Sequence, residues 1–167
     1  VPSLIQSNSE RLRRNLGKVT VTYLTRQLRD GLVIGLGMGR TLAEIPNFVR
    51  RKADYGCTFV ALVGGAGRNY VGFDTYNITW KLADLWGSQA EHLCSPVVVE
   101  SRQVKEALMT DPQIRGTLQR AAKSDIALVG VGVVNDDFTL HRMGYCSMET
   151  VRQLQADGAV GDILGRF

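Results

Sequence analysis

Leu32-Val33-Ile34-Gly35-Leu36-Gly37-Met38-Gly39-Arg40-Thr41-Leu42-Ala43-Glu44 is the stretch that decides the fold. Leu32-Val33-Ile34 is a short apolar run with β-branched residues, the pattern of a buried strand. Glycines 35, 37 and 39 follow at once. Thr41-Leu42-Ala43-Glu44 then opens a helix that carries Ile45, Phe48 and Val49. Pro46 is tolerable only in the first turn of such a helix. Three glycines between strand and helix let the backbone approach a ligand closely. Unpaired N–H groups at the helix start attract anions. Arg40 adds a charged fork matched to phosphate oxygens, and Thr41 a hydroxyl that donates or caps. The spacing is neither G-x-G-x-x-G nor a Walker loop. A plain glycine turn without a ligand therefore stays open beside an anion site.

Outward from this turn the same unit recurs. Residues 9–30 read as a helix capped by Ser9, with Leu12, Leu16, Val19, Tyr23 and Leu24 at helical spacings; Gly17 leaves room for two helices. Thr58–Val63 is an apolar strand ending at Gly64-Gly65, and 75–86 a helix with Ile78, Leu82, Leu85 and Trp86 on one side. Pro96–Val99 is expected as the third strand. Helices over 102–109 and 112–123 follow, parted by Thr110-Asp111-Pro112. Ile126–Val129 is the fourth strand, ending in Gly130-Val131-Gly132, and a helix over 147–156 is capped by Ser147. Wholly apolar strands alternating with helices predict a parallel sheet covered on both faces. Ligands of such sheets bind beyond the carboxyl ends of the strands, where every glycine cluster of this chain sits.

Composition sets the bounds. The chain has 167 residues, 44% hydrophobic and 22% charged, values that suit one ordered globular domain. Its net charge of +4 is mildly basic and fits an anionic small-molecule ligand. The runs Arg11-Leu12-Arg13-Arg14 and Arg50-Arg51-Lys52 lack interleaved aromatics and read as solvated helix faces, so Arg13 is expected outside any site. The three cysteines, Cys57, Cys94 and Cys146, form no C-x-x-C and read as reduced thiols, with Cys57 packed in the core. His92 and Cys94 have no second metal-like pair, so no metal is expected. No apolar stretch reaches the length of a membrane span, and Val1-Pro2-Ser3-Leu4 does not show the basic-then-apolar pattern of a secretory signal.

Five ordered segments carry a family resemblance. They are Gly35-Leu36-Gly37-Met38-Gly39-Arg40-Thr41-Leu42, Phe59–Gly65, Leu93–Val99, Asp125–Gly132 and Gly158–Gly165. Together they resemble the sugar-binding domain of the SorC family of transcription regulators, also grouped with DeoR-type repressors. The resemblance spans nearly the whole chain. It implies a Rossmann-like α/β fold, a mostly parallel sheet with helices on both faces, similar to phosphosugar isomerases, deaminases and CoA-transferases. It implies a phosphorylated sugar as effector, a homodimer or homotetramer, a cytoplasmic setting, no cofactor, and operator DNA held through a helix-turn-helix that this chain does not carry. By motif, Gly37, Gly39, Arg40 and Thr41 would hold the phosphate. Gly64 and Gly65 would line the pocket at the next strand end. Asp162, Ile163 and Leu164 would contact sugar hydroxyls, with Asp162 alternatively a capping residue or part of a surface turn, and Arg142 would reach the phosphate. The family pattern continues past Gly165-Arg166-Phe167, so residues 1–167 are expected to be an effector-binding domain incomplete at its C-terminal end, with a sheet edge that favours association.

Other classes compete with this reading. A phosphosugar isomerase or deaminase would share the fold but needs a positioned acid/base pair. Asp136, Asp137, His141 and Glu149 show no arrangement that marks a catalytic site, and none is expected. A dinucleotide-binding domain would place an acidic residue after the second strand, where this chain has Val63-Gly64-Gly65. A truncated oligomerisation fragment without ligand is the remaining reading.

Overall fold

A computed structural model describes residues 2–50, 55–65 and 72–167, with side chains from residue 8 onward. The second glycine cluster beyond Gly65 and the basic pair Arg51-Lys52 lie outside the described residues. The chain opens with helix α1 (Pro2–Gln27), followed by β1 (Val33–Leu36), a 3₁₀ helix (Leu42–Phe48), β2 (Thr58–Ala61), α2 (Thr75–Leu85) and β3 (Gln89–Glu91). Helices α3 (Arg102–Leu108) and α4 (Pro112–Ala122) lead into β4 (Ile126–Leu128). Strand β5 (Val131–Val133), α5 (Thr139–Arg142), α6 (Met148–Ala156) and β6 (Gly161–Ile163) complete it.

Four strands form one parallel sheet in the order β3-β2-β1-β4, and β5 pairs with β6 in a separate antiparallel ribbon. From β1 the chain winds outward to β2 and β3, then crosses to the other flank of β1 to make β4. The order reverses at β1, so a crevice opens between the carboxyl ends of β1 and β4, the usual ligand position in such sheets.

Helix α1 is one continuous helix, and Gly17 explains how. A Cβ there would come within 2.9 Å of Glu44 Cβ and 3.1 Å of its backbone carbon. The glycine is the price in helix propensity for seating the 3₁₀ helix directly on α1. Behind this contact Leu24, Leu32, Ile34, Leu36, Ile45 and Phe59 pack with Ile78, Leu82 and Trp86 of the α2 region. Trp86 stacks on Phe59 with ring centroids 5.7 Å apart. Cys57 is fully buried in this cluster, and burial raises its thiol pKa, so it stays a neutral packing residue. A second cluster of Ala61, Leu93 and Ile114 joins β2 to α4, which is started by Asp111 and Pro112. Helices thus cover both faces of the sheet. A third cluster, including Met38, Val63, Phe138 and Val151, caps the strand ends with the segment from Val134 to Leu164.

Three local expectations change. The third strand is Gln89-Ala90-Glu91, paired in register with Thr58-Phe59-Val60, while Pro96–Val99 forms no regular element. Leading with a proline, that segment lies against the end of β2 instead, its Ser95 and Pro96 carbonyls over Gly64. The helix after the glycine turn is a 3₁₀ helix, with Pro46 at its fifth residue. Val49 N–H donates to Pro46 O at 3.3 Å and ends this helix. Val131–Val133 and Thr139–Arg142 are elements that no apolar period announced.

Candidate functional site

A cleft of about 580 Å³ lies at the switch point. Its floor is the turn after β1, from Met38 to Leu42, and one wall is the segment Val129–Val133 after β4. Asn135, Asp137 and Thr139 form the rim, Asp162 and Leu164 close one end, and Ser9, Leu12, Arg13 and Leu16 of α1 reach over the other. The walls come from segments far apart in the chain, and the parallel sheet brings them together.

Gly39 adopts φ +129°, a conformation that L side chains rarely take, and nothing lies within 4 Å of where its Cβ would be. Its own N–H is engaged by Phe73 O at 2.9 Å. The backbone N–H groups of Arg40 and Thr41 donate to no other backbone group among the described residues. Thr41 lines the cleft, and its hydroxyl makes no capping bond. The short 3₁₀ helix beyond it offers little dipole, and the local cation is Arg40.

Arg40 is held in place by the opposite rim. Its Nη1 pairs with Asp137 Oδ2, and its Nη2 donates to Asp137 O at 3.4 Å. The other carboxylate oxygen, Asp137 Oδ1, accepts from Arg142 Nη1 at 2.7 Å. Burial opposes the charge on Asp137, but the hydrogen bonds from Arg142 and Arg40 outweigh it and hold the carboxyl below its ordinary range. Asp137 N–H donates to Asn135 Oδ1 at 3.0 Å, an Asx turn that fixes the rim.

The sequence-derived site residues separate into two groups. Gly39, Arg40, Thr41, Asp162 and Leu164 line the cleft. Gly37, Gly64, Gly65, Ile163 and Arg142 do not. Gly37 N–H donates to Leu128 O at 2.9 Å, and a Cβ there would lie 2.8 Å from Leu164 Cδ2, so Gly37 lets the cleft's end wall pack on the turn. Gly64 is pressed under the Ser95 and Pro96 carbonyls, and Gly65 N–H donates to Ser95 O at 3.2 Å. Ile163 pairs with Val131 in the ribbon, and Arg142 reaches the cleft only through Asp137. Asp162, nearly buried, also braces the turn: its Oδ2 accepts from Gly165 N–H at 2.9 Å. Leu164 beside it has φ +55°, a strained conformation for a leucine, held by the paired bonds between Ile163 and Arg166.

Sequence reasoning missed Arg13, Asn135, Asp137 and Thr139 as wall residues. Arg13 is half-buried in the cleft and forms no ion pair among the described residues, so it is not the solvated arginine its run suggested. Of the four acid/base candidates, Asp137 alone reaches the cleft, as a paired carboxylate. His141 Nδ1 instead meets Cys146 O at 2.9 Å. No group of potential metal ligands occurs among the described residues, and no helix is long and apolar enough to cross a membrane.

A family model described as "Putative sugar-binding domain" matches residues 1–167. The chain belongs to this sugar-binding domain family. It is 28% identical over 156 residues to the deoxyribonucleoside regulator of Bacillus subtilis, covering 93% of this chain and 50% of that protein. It is 25% identical over 154 residues to the erythritol catabolism regulatory protein EryD of Brucella abortus, covering 91% and 48%. The chain thus spans about half the length of the curated relatives it matches. A DeoR family transcriptional regulator from Listeria monocytogenes superposes with a TM-score of 0.81 at 24% identity, over 93% of this chain and 60% of that one. The full-length sorbitol operon regulator SorC from Klebsiella pneumoniae gives 0.82 at 21%, over 95% and 52%. The ordered glycine motifs therefore led to the right family, and these relatives are transcription regulators. The α/β sheet of this sugar-binding domain is the fold those structures share.

Proposed function

We propose that residues 1–167 act as one effector-binding domain of a carbohydrate-responsive transcription regulator, and that the effector is a phosphorylated sugar seated in the switch-point cleft. One observation carries this reading: Arg13, Arg40 and Thr41 line the same crevice, and the Arg40 and Thr41 N–H groups donate to no other backbone group among the described residues. Arginine forks and unpaired N–H groups suit a phosphoryl group. In this reading Gly39, Arg40 and Thr41 hold the phosphate, and Asp162 and Leu164 shape the sugar end. Gly37, Gly64, Gly65, Ile163 and Arg142 support those walls from behind. In this reading the domain binds without catalysing: of the two cleft carboxylates among the described residues, Asp137 is paired with two arginines and Asp162 braces the turn at Gly165. Its working form is a cytoplasmic homodimer or homotetramer, and operator DNA is contacted by another part of the regulator.

A thermal-shift screen with pentose and hexose monophosphates, each beside its unphosphorylated sugar, tests this. A ligand at a hundred times its Kd adds about 2.7 kcal/mol, on the order of 5–10 °C for a domain of this size. Arg40→Ala and Thr41→Ala should each weaken that response, Arg40→Ala by about tenfold in Kd through loss of charged hydrogen bonds. A flat response to the whole panel would overturn the reading. Turnover of any sugar phosphate would replace it with an enzyme.

A further inference from the structure

The most unusual feature of the cleft is that its principal cation is already paired from inside. Arg40 is the less exposed member of the bridge, at 31% for its side chain against 50% for Asp137. Both oxygens of Asp137 are occupied, one by Arg40 and one by Arg142. Arg40 and Asp137 line the cleft and Arg142 stands outside it.

We propose that Asp137 sets the ligand charge that this cleft accepts: its carboxylate serves as a built-in counter-anion on Arg40, displaced by a dianionic phosphoryl group but not by a neutral sugar or a monoanionic sugar acid. The inference rests on the sugar-phosphate reading above. An incoming carboxylate would only exchange one carboxylate for another at Arg40. It would gain nothing there and would still lose the freedom that any association costs. A sugar hydroxyl carries no charge with which to compete. A phosphoryl group brings close to two charges and three acceptor oxygens, so its attraction to Arg40 exceeds that of Asp137. Arg142 makes the displacement tolerable, because the released carboxylate keeps its bond to that second guanidinium instead of standing unpaired. The low pKa of Asp137 keeps the counter-anion charged throughout the neutral range.

Neighbouring Asp136 supplies the control. It is exposed, lies outside the cleft and has no partner among the described residues, so Asp136→Asn makes the same charge change without touching Arg40. Inorganic phosphate and acetate are the probes, titrated against the full protein at fixed ionic strength by calorimetry. Wild type should bind phosphate and give no response to acetate. Asp137→Asn should bind phosphate about fivefold tighter, the worth of an exposed pair near the upper end of its usual range, and should acquire a response to acetate. Asp136→Asn should match wild type. Equal gains in both variants would reduce the effect to net charge and overturn the proposal. Unchanged or weaker phosphate binding in a folded Asp137→Asn would overturn it too, leaving the sugar-phosphate reading intact. Absence of phosphate and sugar-phosphate binding in wild type and Asp137→Asn alike would overturn both.

Discussion

The turns after β1 and β2 make the same offer in sequence and different ones in space. Each ends an apolar strand in glycines at the carboxyl edge of the sheet. After β1 Gly39 faces an open cleft, because the strand order reverses at β1 and the connections on its two sides leave in opposite directions. After β2 the chain returns through α2 to β3 on the same flank, and the segment behind β3 folds back over Gly64. Glycine at a strand end therefore permits close approach without saying what approaches. At Gly39 nothing lies within 4 Å of where a Cβ would be, and at Gly64 that space is taken by Ser95 and Pro96.

The sharpest way to break this comparison is Gly64→Ala. The added Cβ would stand 2.6 Å from the Pro96 carbonyl oxygen and closer still to that of Ser95, and backbone does not yield as a flexible side chain does. A cost of about 3 kcal/mol is expected, at the top of the range for overpacking, with phosphate affinity unchanged. Urea denaturation measures the first and calorimetry the second. A cost below about 0.5 kcal/mol, the usual range for a neutral surface change, would mean that the second turn is as open as the first. A folded variant with lost affinity would make Gly64 part of the ligand site after all.

The contrast also separates what was legible from what was not. Strands β1 and β2 declared themselves through uniform apolarity, because burial on both faces demands it, and the edge strand β4 was legible as Ile126-Ala127-Leu128 although Ala127 is exposed. Strand β3 did not, because an edge strand pairs through its main chain and Gln89-Ala90-Glu91 needs no apolar side chain to do so. Pro96–Val99 imitated a strand because it too is partly buried, packing Val97 under the third cluster without any ladder. The floor of the cleft was visible, since Gly39, Arg40 and Thr41 are contiguous. Its rim was not. Asp137 meets Arg40 across 97 positions, and no spacing rule spans that distance. Arg13 was misread for a related reason: a basic run on a helix shows its period, but not which turn of the helix faces the sheet.

Arg13 gives the next effect in size. It lines the cleft from α1, whereas Arg11, two residues away, is exposed and outside the cleft, bonding Asn8 at 3.3 Å. Arg13→Met should weaken phosphate binding by about threefold, as loss of a partly solvated charge contact does. Arg11→Met should leave it unchanged. Equal effects of the two would return the run to a diffuse basic face.

The smallest effect is a difference in pH dependence between the two regions. His92 follows β3 on the filled side and stacks on Tyr76 with ring centroids 4.1 Å apart, its Nδ1 buried without a partner among the described residues. Burial lowers its pKa below 6.5, and the nearby Asp74 carboxylate only partly opposes this. The unfolded chain therefore takes up this proton first as pH falls. The histidine's contribution is whole above 6.5 and is lost on acidification toward its folded value. Asp137 on the open side is also depressed, but from 3.8, so its contribution persists until the pH falls below that value. Between pH 7.5 and 5 the filled side should be the one that responds. His92→Phe keeps the ring stack and removes the proton site, so its thermal midpoint should fall less than that of wild type across this interval, while Asp137→Asn should parallel wild type. Parallel curves for His92→Phe and wild type would show that the imidazole is free to charge in place, and the second turn would then be less tightly filled than its glycine contacts require.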